Sequence, residues 1–165
     1  MLKGIKLLLL IALLISFVQS KAFCAFIISS EEPSEGKNVY SYRFASDAVY
    51  ADYTVFIDDE KLYFPTDGYI SINIVDEPSR ADLIFVDNTE NCSVRVYKET
   101  RPLSYIKSIY LSDNRLMALY DSTIKIHLSK NASNAKYNLF IKSSIFTNEE
   151  AAAIFAVIWQ SNRNR

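Results

Sequence analysis

Ala51-Asp52-Tyr53-Thr54-Val55-Phe56-Ile57-Asp58 returns later in the chain as Ala135-Lys136-Tyr137-Asn138-Leu139-Phe140-Ile141-Lys142, with Ala, Tyr, Phe and Ile in register. Ala81-Asp82-Leu83-Ile84-Phe85-Val86-Asp87 is a shorter version. Alternation such as Tyr53, Val55 and Ile57 against Thr54 and Asp58 puts one set of side chains on one face of a pleated strand. Upstream of two copies lie similar strands, Ile70–Val75 and Ile124–Leu128, joined by polar linkers, Glu77-Pro78-Ser79-Arg80 and Asn131-Ala132-Ser133-Asn134. The unit therefore reads as strand, polar turn, small residue, strand. Any alternating β protein produces echoes, but a match over eight residues favours internal duplication.

Working outward, the same period runs through Tyr40, Tyr42 and Phe44, through Val94 and Val96, and through Tyr137, Leu139 and Ile141. Leu83–Val86 is apolar throughout, as expected of a strand covered on both faces. Ile106–Leu111 and Leu116–Tyr120 read as two further strands about the turn Ser112-Asp113-Asn114. Near the C-terminus Thr147 and Glu150 match a capping box. Ala151, Phe155 and Trp159 then share one helical face, and Arg163 and Arg165 complement the negative helix end. The expected fold is mainly β: short antiparallel strands in hairpin-like repeats, with one helix at about 148–160 packed against them by one face.

The stretches Ser79-Arg80-Ala81-Asp82-Leu83-Ile84-Phe85-Val86-Asp87 and Ser133-Asn134-Ala135-Lys136-Tyr137-Asn138-Leu139-Phe140-Ile141 resemble the septoil-knot domain family. These are small bacterial domains of unknown function built from Ser-x-Ala-Asp units, each followed by an aliphatic–aromatic strand. The resemblance spans residues 39–146 unevenly. It is weakest from Glu99 to Asp121, and the family's closing Ala-Gly-Trp has no counterpart. It implies a compact β structure whose chain passes through itself, against the usual rule that chains do not thread loops. It implies no active site.

The first 20 residues read as an export signal. Lys3 and Lys6 precede the uncharged run Leu7–Val18, and Gln19, Ser20 and Lys21 end it. That run of about 12 residues is short of the roughly 20 that an ordinary membrane span needs. Ser20-Lys21-Ala22 offers cleavage before Phe23, and Ala22-Phe23-Cys24 offers it before Ala25. An uncleaved anchor is the alternative, because Ala22–Ile28 is again apolar. Phe23 argues against a lipid anchor on Cys24, which wants a small residue before it. Residues 1–22 are thus expected to be a signal peptide, 23–38 a lead-in, and 39–165 a single domain. Export to the periplasm or beyond permits a disulfide, and Cys24 and Cys92 allow one intramolecular pairing if cleavage spares Cys24. The bland reading of Cys92 is a small buried side chain.

Losing the signal removes three of 18 basic residues against 19 acidic ones, leaving a net charge of about −4. That balance disfavours nucleic acid and anionic membranes. With three glycines in the chain, Gly-lined cofactor sites are disfavoured too, and neither a dinucleotide fingerprint nor a P-loop is present. We expect no cofactor and no metal site. His127 is the only histidine, so a multi-histidine metal site within one chain is ruled out and any catalytic triad would have to use it. Asp58-Asp59-Glu60 is the densest acidic cluster. A turn explains it better than glycoside chemistry, which needs carboxylates held across a cleft, or calcium, whose loop pattern is missing. Asp52 and Asp82 recur in the repeat and suit a structural bond to a turn amide. Asn91 and Asn131 fit glycosylation acceptors, relevant only in a eukaryotic secretory path.

Tyr40, Tyr42, Tyr50, Tyr53 and Tyr63 are the candidate binding residues, against the bland reading that aromatics supply core bulk. The expected function is a secreted or periplasmic, non-catalytic binding or structural module, with a protein the best-supported partner. The alternative is a secreted effector or inhibitor that binds a foreign protein through an edge strand or aromatic loop. A hydrolase using Asp58, Asp59 or Glu60 ranks third.

Overall fold

The computed structural model describes residues 25–30, 40–58, 68–101, 103–104 and 106–163. Nine strands lie among them: β1 Phe26–Ser30, β2 Tyr40–Phe44, β3 Tyr53–Asp58, β4 Tyr69–Val75, β5 Leu83–Asp87, β6 Val94–Lys98, β7 Lys107–Ser112, β8 Ile124–Leu128 and β9 Tyr137–Lys142. One helix, α1, spans Asn148–Arg163. The strands close into a barrel in the order β1-β5-β9-β4-β8-β3-β7-β2-β6, with β6 returning to β1.

Every pairing is parallel, which corrects the antiparallel expectation. The reason lies in the register. Parallel neighbours ordinarily need a crossover of about a dozen residues or more. Here the link between β5 and β6 is residues 88–93, and others are little longer. Such short links suffice because each strand begins at the level where its predecessor ends. Val96 pairs with Ser30 at the end of β1 and with Tyr40 at the start of β2. Ile109 likewise pairs with Phe44 and with Tyr53, and Leu139 with Ile74 and with Leu83. Successive strands lie two places apart in the barrel, and a strand from the other circuit fills the gap.

The described links run over the outside of the intervening strand. Asp52 and Tyr50 bond to Ser108 on β7, Thr89 bonds to Ser29 on β1, and Asn134 accepts from Ser71 on β4. Residues on the outward face are therefore covered: Phe56, Ser29, Ser108 and Asn73 are all buried. Leu116–Tyr120, expected as a strand, belongs to one of these links. Arg115–Leu119 forms a 3-10 turn against β3, because the Asn114 side chain accepts from the Leu116 amide and starts the turn.

The inward residues Ile28, Tyr42, Val55, Ile72, Phe85, Val96, Ile109, Ile126 and Leu139, one per strand, form an apolar wall, each at most 5% exposed. The helix completes this core. The expected capping box forms: the Glu150 carboxylate accepts from the Thr147 amide at 2.9 Å, and the Thr147 hydroxyl from the Glu150 amide at 3.2 Å. Single-face packing does not hold. Ala151 to Ile158 are all buried, at 0–6% exposure, over more than two turns. A helix covered on every side sits inside its surroundings, and α1 fills the barrel lumen. Four alanines in that stretch keep it slim enough to be enclosed.

The segment expected to be a lead-in, 23–38, contains β1, which closes the barrel between β5 and β6. Phe26, Ile27 and Ile28 of the apolar run Ala22–Ile28 belong to this strand. Residues 1–24 lie outside the described residues, and so do both cleavage sites and Cys24. Cys92, half-buried, lies in the link between β5 and β6.

Candidate functional site

The barrel has two mouths and an outer layer, and they treat their polar groups differently. At the mouth formed by the strand ends, the inward alternation brings Ser30, Asp87 and Lys98 to the rim. Asp87 accepts from the Ser30 hydroxyl, from the Ser143 hydroxyl at 2.6 Å, and from the Ser144 amide and hydroxyl at 2.6 and 2.7 Å. Burial raises its pKa, but these donors outweigh burial and bring it down to about 2. The Lys98 ammonium donates to both Glu150 oxygens at 2.7 Å and to the Ile145 carbonyl at 3.3 Å. It also stands over the Phe44 and Phe146 rings at 5.5 and 5.4 Å. A hollow of about 640 Å³ opens here beside Asp87, Ser143, Ser144 and Asn148. Asp87, Lys98 and Glu150 are thus bonded within the protein, and the Lys98–Glu150 pair docks the helix.

Asp52 and Asp82 make structural bonds, but to strand amides and not to the turn amides expected. Each carboxylate accepts from a backbone amide on a neighbouring strand at 2.8 Å, Ser108 for Asp52 and Asn138 for Asp82. Asp52 also meets Lys107 at 3.0 Å. Burial acts to raise the Asp52 pKa, and the Ser108 and Lys107 donors override it, holding the carboxyl below its ordinary value. Lys107 is raised in turn by the same hydrogen bond. Both aspartates follow a 3-10 turn and an extended alanine, Ala51 or Ala81, whose amide closes the turn.

The tyrosines separate. Tyr42 is buried in the wall, and burial, then Tyr53 and Tyr40, raises its pKa well above the ordinary range. Tyr53 packs on the core. Tyr40 and Tyr50 are exposed, and Tyr63 lies outside the described residues. They do not form one exposed face. Tyr50 instead joins a set that sequence reasoning missed, the exposed apolar residues of two outer links. Val49 and Tyr50, 82% and 72% exposed, lie in the link over β7. Leu116, Leu119 and Tyr120, at 64%, 70% and 59%, lie in the link over the adjacent β3. The available signal was Asn114, a turn-starting residue set before an apolar run.

His127 lies on the outer face of β8, in register with Asp58 on β3 and Ser71 on β4. That row has the residue types of a triad, but its bonds do not form one. The His127 Nδ1 atom is buried without a hydrogen-bond partner, and the Ser71 hydroxyl donates to the Asn134 carbonyl at 3.1 Å. Asp58 is buried, and Asp59 and Glu60 lie outside the described residues. Among the described residues no three His, Cys, Asp or Glu side chains gather as metal ligands, and no helix is long and apolar enough to cross a membrane.

The opposite mouth surrounds the helix C-terminus. Trp159, half-buried, meets the Tyr137 ring edge-on at 5.2 Å, and the Lys136 ammonium stands over both rings at 5.6 and 5.5 Å. A hollow of about 440 Å³ lies against Trp159, with Asp121, Thr123, Lys125, Gln160 and Arg163 in its lining.

Searches of family models, curated proteins and solved structures return no match to this chain.

Proposed function

We propose that this chain is an exported, non-catalytic binding module that holds a protein partner on its outer layer. The observation that carries this is the exposure of Val49, Tyr50, Leu116, Leu119 and Tyr120 over two adjacent strands. Links that bury Phe56 and Ser108 beneath them leave these large side chains in water. Tyr and Leu set on 3-10 turns supply apolar contact area of the kind found at interfaces. The N-terminal charge pattern supports export, and β1, which starts at Phe26, survives either candidate cleavage. The alternative, a secreted effector or inhibitor, would use the same surface: the closed barrel leaves no free strand edge among the described strands for β-addition. The hydrolase reading has less support, since Asp58 is covered.

The resemblance to the septoil-knot family, internal duplication and a self-threading path remain part of this proposal. Two features support them. Strands four apart in sequence pair with a nearly constant register, as in Tyr40 with Val96 and Leu83 with Leu139. The described links also pass over a strand from the other circuit, as interlaced turns of a rope do.

The test places a photo-crosslinking residue at Leu119 in the full chain and compares it with the Tyr50→Asp variant of the same protein. The expected result is one saturable protein adduct from the extracytoplasmic fraction that Tyr50→Asp abolishes. An adduct pattern unchanged by Tyr50→Asp overturns the proposal. A processed N-terminus at Phe23 or Ala25, read by intact mass, tests export separately.

A further inference from the structure

We propose that the mouth at the helix C-terminus is a saccharide subsite that takes an acidic sugar ring stacked on Trp159. Three observations carry it.

The first is shape. The hollow of about 440 Å³ falls in the range of small-ligand pockets, about 300–1,000 Å³. Its apolar wall is Ile70, Ile124 and the half-buried indole of Trp159, held by Tyr137 and tilted against Phe155 at 6.2 Å. A fixed aromatic plane beside polar groups matches a pyranose, whose ring faces carry C–H bonds and whose rim carries hydroxyls.

The second is the contrast between the mouths. Asp87, Lys98 and Glu150 at the strand-end mouth spend their hydrogen bonds on the protein. Around Trp159, the side chains of Asp121, Lys125, Gln160 and Arg163 make no hydrogen bond or ion pair to other described residues. They supply both donors and acceptors to one hollow, and Thr123, only 6% exposed, lines its wall.

The third is charge. Lys125 and Arg163 line the hollow against the single carboxylate of Asp121. Arg163 also complements the negative helix end, but that interaction leaves its five N–H donors available. A sugar carboxylate would pair with Arg163 and Lys125, while Asp121 and Gln160 take the hydroxyls. Acidic over neutral saccharides is the resulting preference.

Trp159 is the only tryptophan, so fluorescence excited beyond the tyrosine absorption band reports this mouth. The full chain is titrated with oligogalacturonate, with oligomannuronate and with neutral chito- and cello-oligosaccharides, by fluorescence and by calorimetry. The expected result is a saturable emission change with an acidic oligosaccharide, weakened at least about tenfold by Arg163→Gln and unchanged by Glu90→Gln, exposed in the link between β5 and β6. No saturable signal up to about 10 mM, equal binding of neutral sugars, or an affinity that Arg163→Gln leaves intact overturns the proposal. Thermal melts of each variant verify that the barrel is folded. Because the protein-binding surface is probed by Tyr50→Asp, either proposal can fail while the other stands.

Discussion

Lys98 and Glu150 are joined by two hydrogen bonds of 2.7 Å, one from the ammonium to each carboxylate oxygen. Lys98 ends β6 on the barrel wall, and Glu150 lies in the first turn of the enclosed helix. Glu150 also accepts from the Thr147 amide, so one carboxylate caps the helix and fastens it to the wall.

Removing one member of this partly buried pair leaves the other charge short of partners. Lys98→Ala is expected to cost about 2–3 kcal/mol, and Glu150→Ala more, because it also removes the cap. Urea denaturation of both single variants and the double variant checks this. A coupling term near zero would show that the helix is held by packing alone.

Asp87 ties the turn that leads into the helix, and its stabilisation depends on pH. Its folded pKa, about 2, lies below the ordinary 3.8, so the contribution is complete above about pH 4 and is lost as pH falls toward 2. Solvent at the mouth screens part of the gain, leaving about 1 kcal/mol. Urea midpoints of the wild-type chain should drop across that window. Asp87→Asn should start lower at neutral pH and show a flatter acid limb.

Ala152 and Ala156 are fully buried on a helix with wall on all sides. Ala156→Leu is expected to cost about 3 kcal/mol or more, since no face of the helix has room to move outward. Ile154→Ala should cost about 2–5 kcal/mol through the cavity it leaves. Hydrogen exchange provides a second measurement: amides of Ala153–Val157 should exchange only on global unfolding.

Asp82 accepts from the Asn138 amide at 2.8 Å where β5 joins β9. Asp82→Ala should destabilise by about 1–2 kcal/mol by orphaning that amide, and Asp82→Asn, which keeps an acceptor, by less. Loss equal for both variants would mean that charge, not the acceptor, matters.

The echo between Ala51–Asp58 and Ala135–Lys142 identified strands β3 and β9. Alternation identified most inward residues, including Ile72, Val96 and Leu139, because side-chain direction is a local property of a pleated chain. Thr147 and Glu150 fixed where the helix starts, since capping involves residues three apart. Leu116–Tyr120 was misread because a short apolar run does not by itself distinguish a strand from a short helical turn. Trp159 was read as part of a packing face; its place beside Arg163, Lys125 and Asp121 depends on a β-turn region and a strand far away in sequence.

The chain's sequence by itself determined most of the elements, the inward rows of most strands and the helix cap, all of which depend on residues a few positions apart. Only the tertiary structure decided that the strands run parallel, that each begins where its predecessor ends, and that the helix lies within the barrel. Alternation is the same for parallel and antiparallel neighbours, and a run such as Ala151–Ile158 does not say what surrounds it. Those choices depend on which distant strands share a register, and pairing over long sequence separations leaves no local trace.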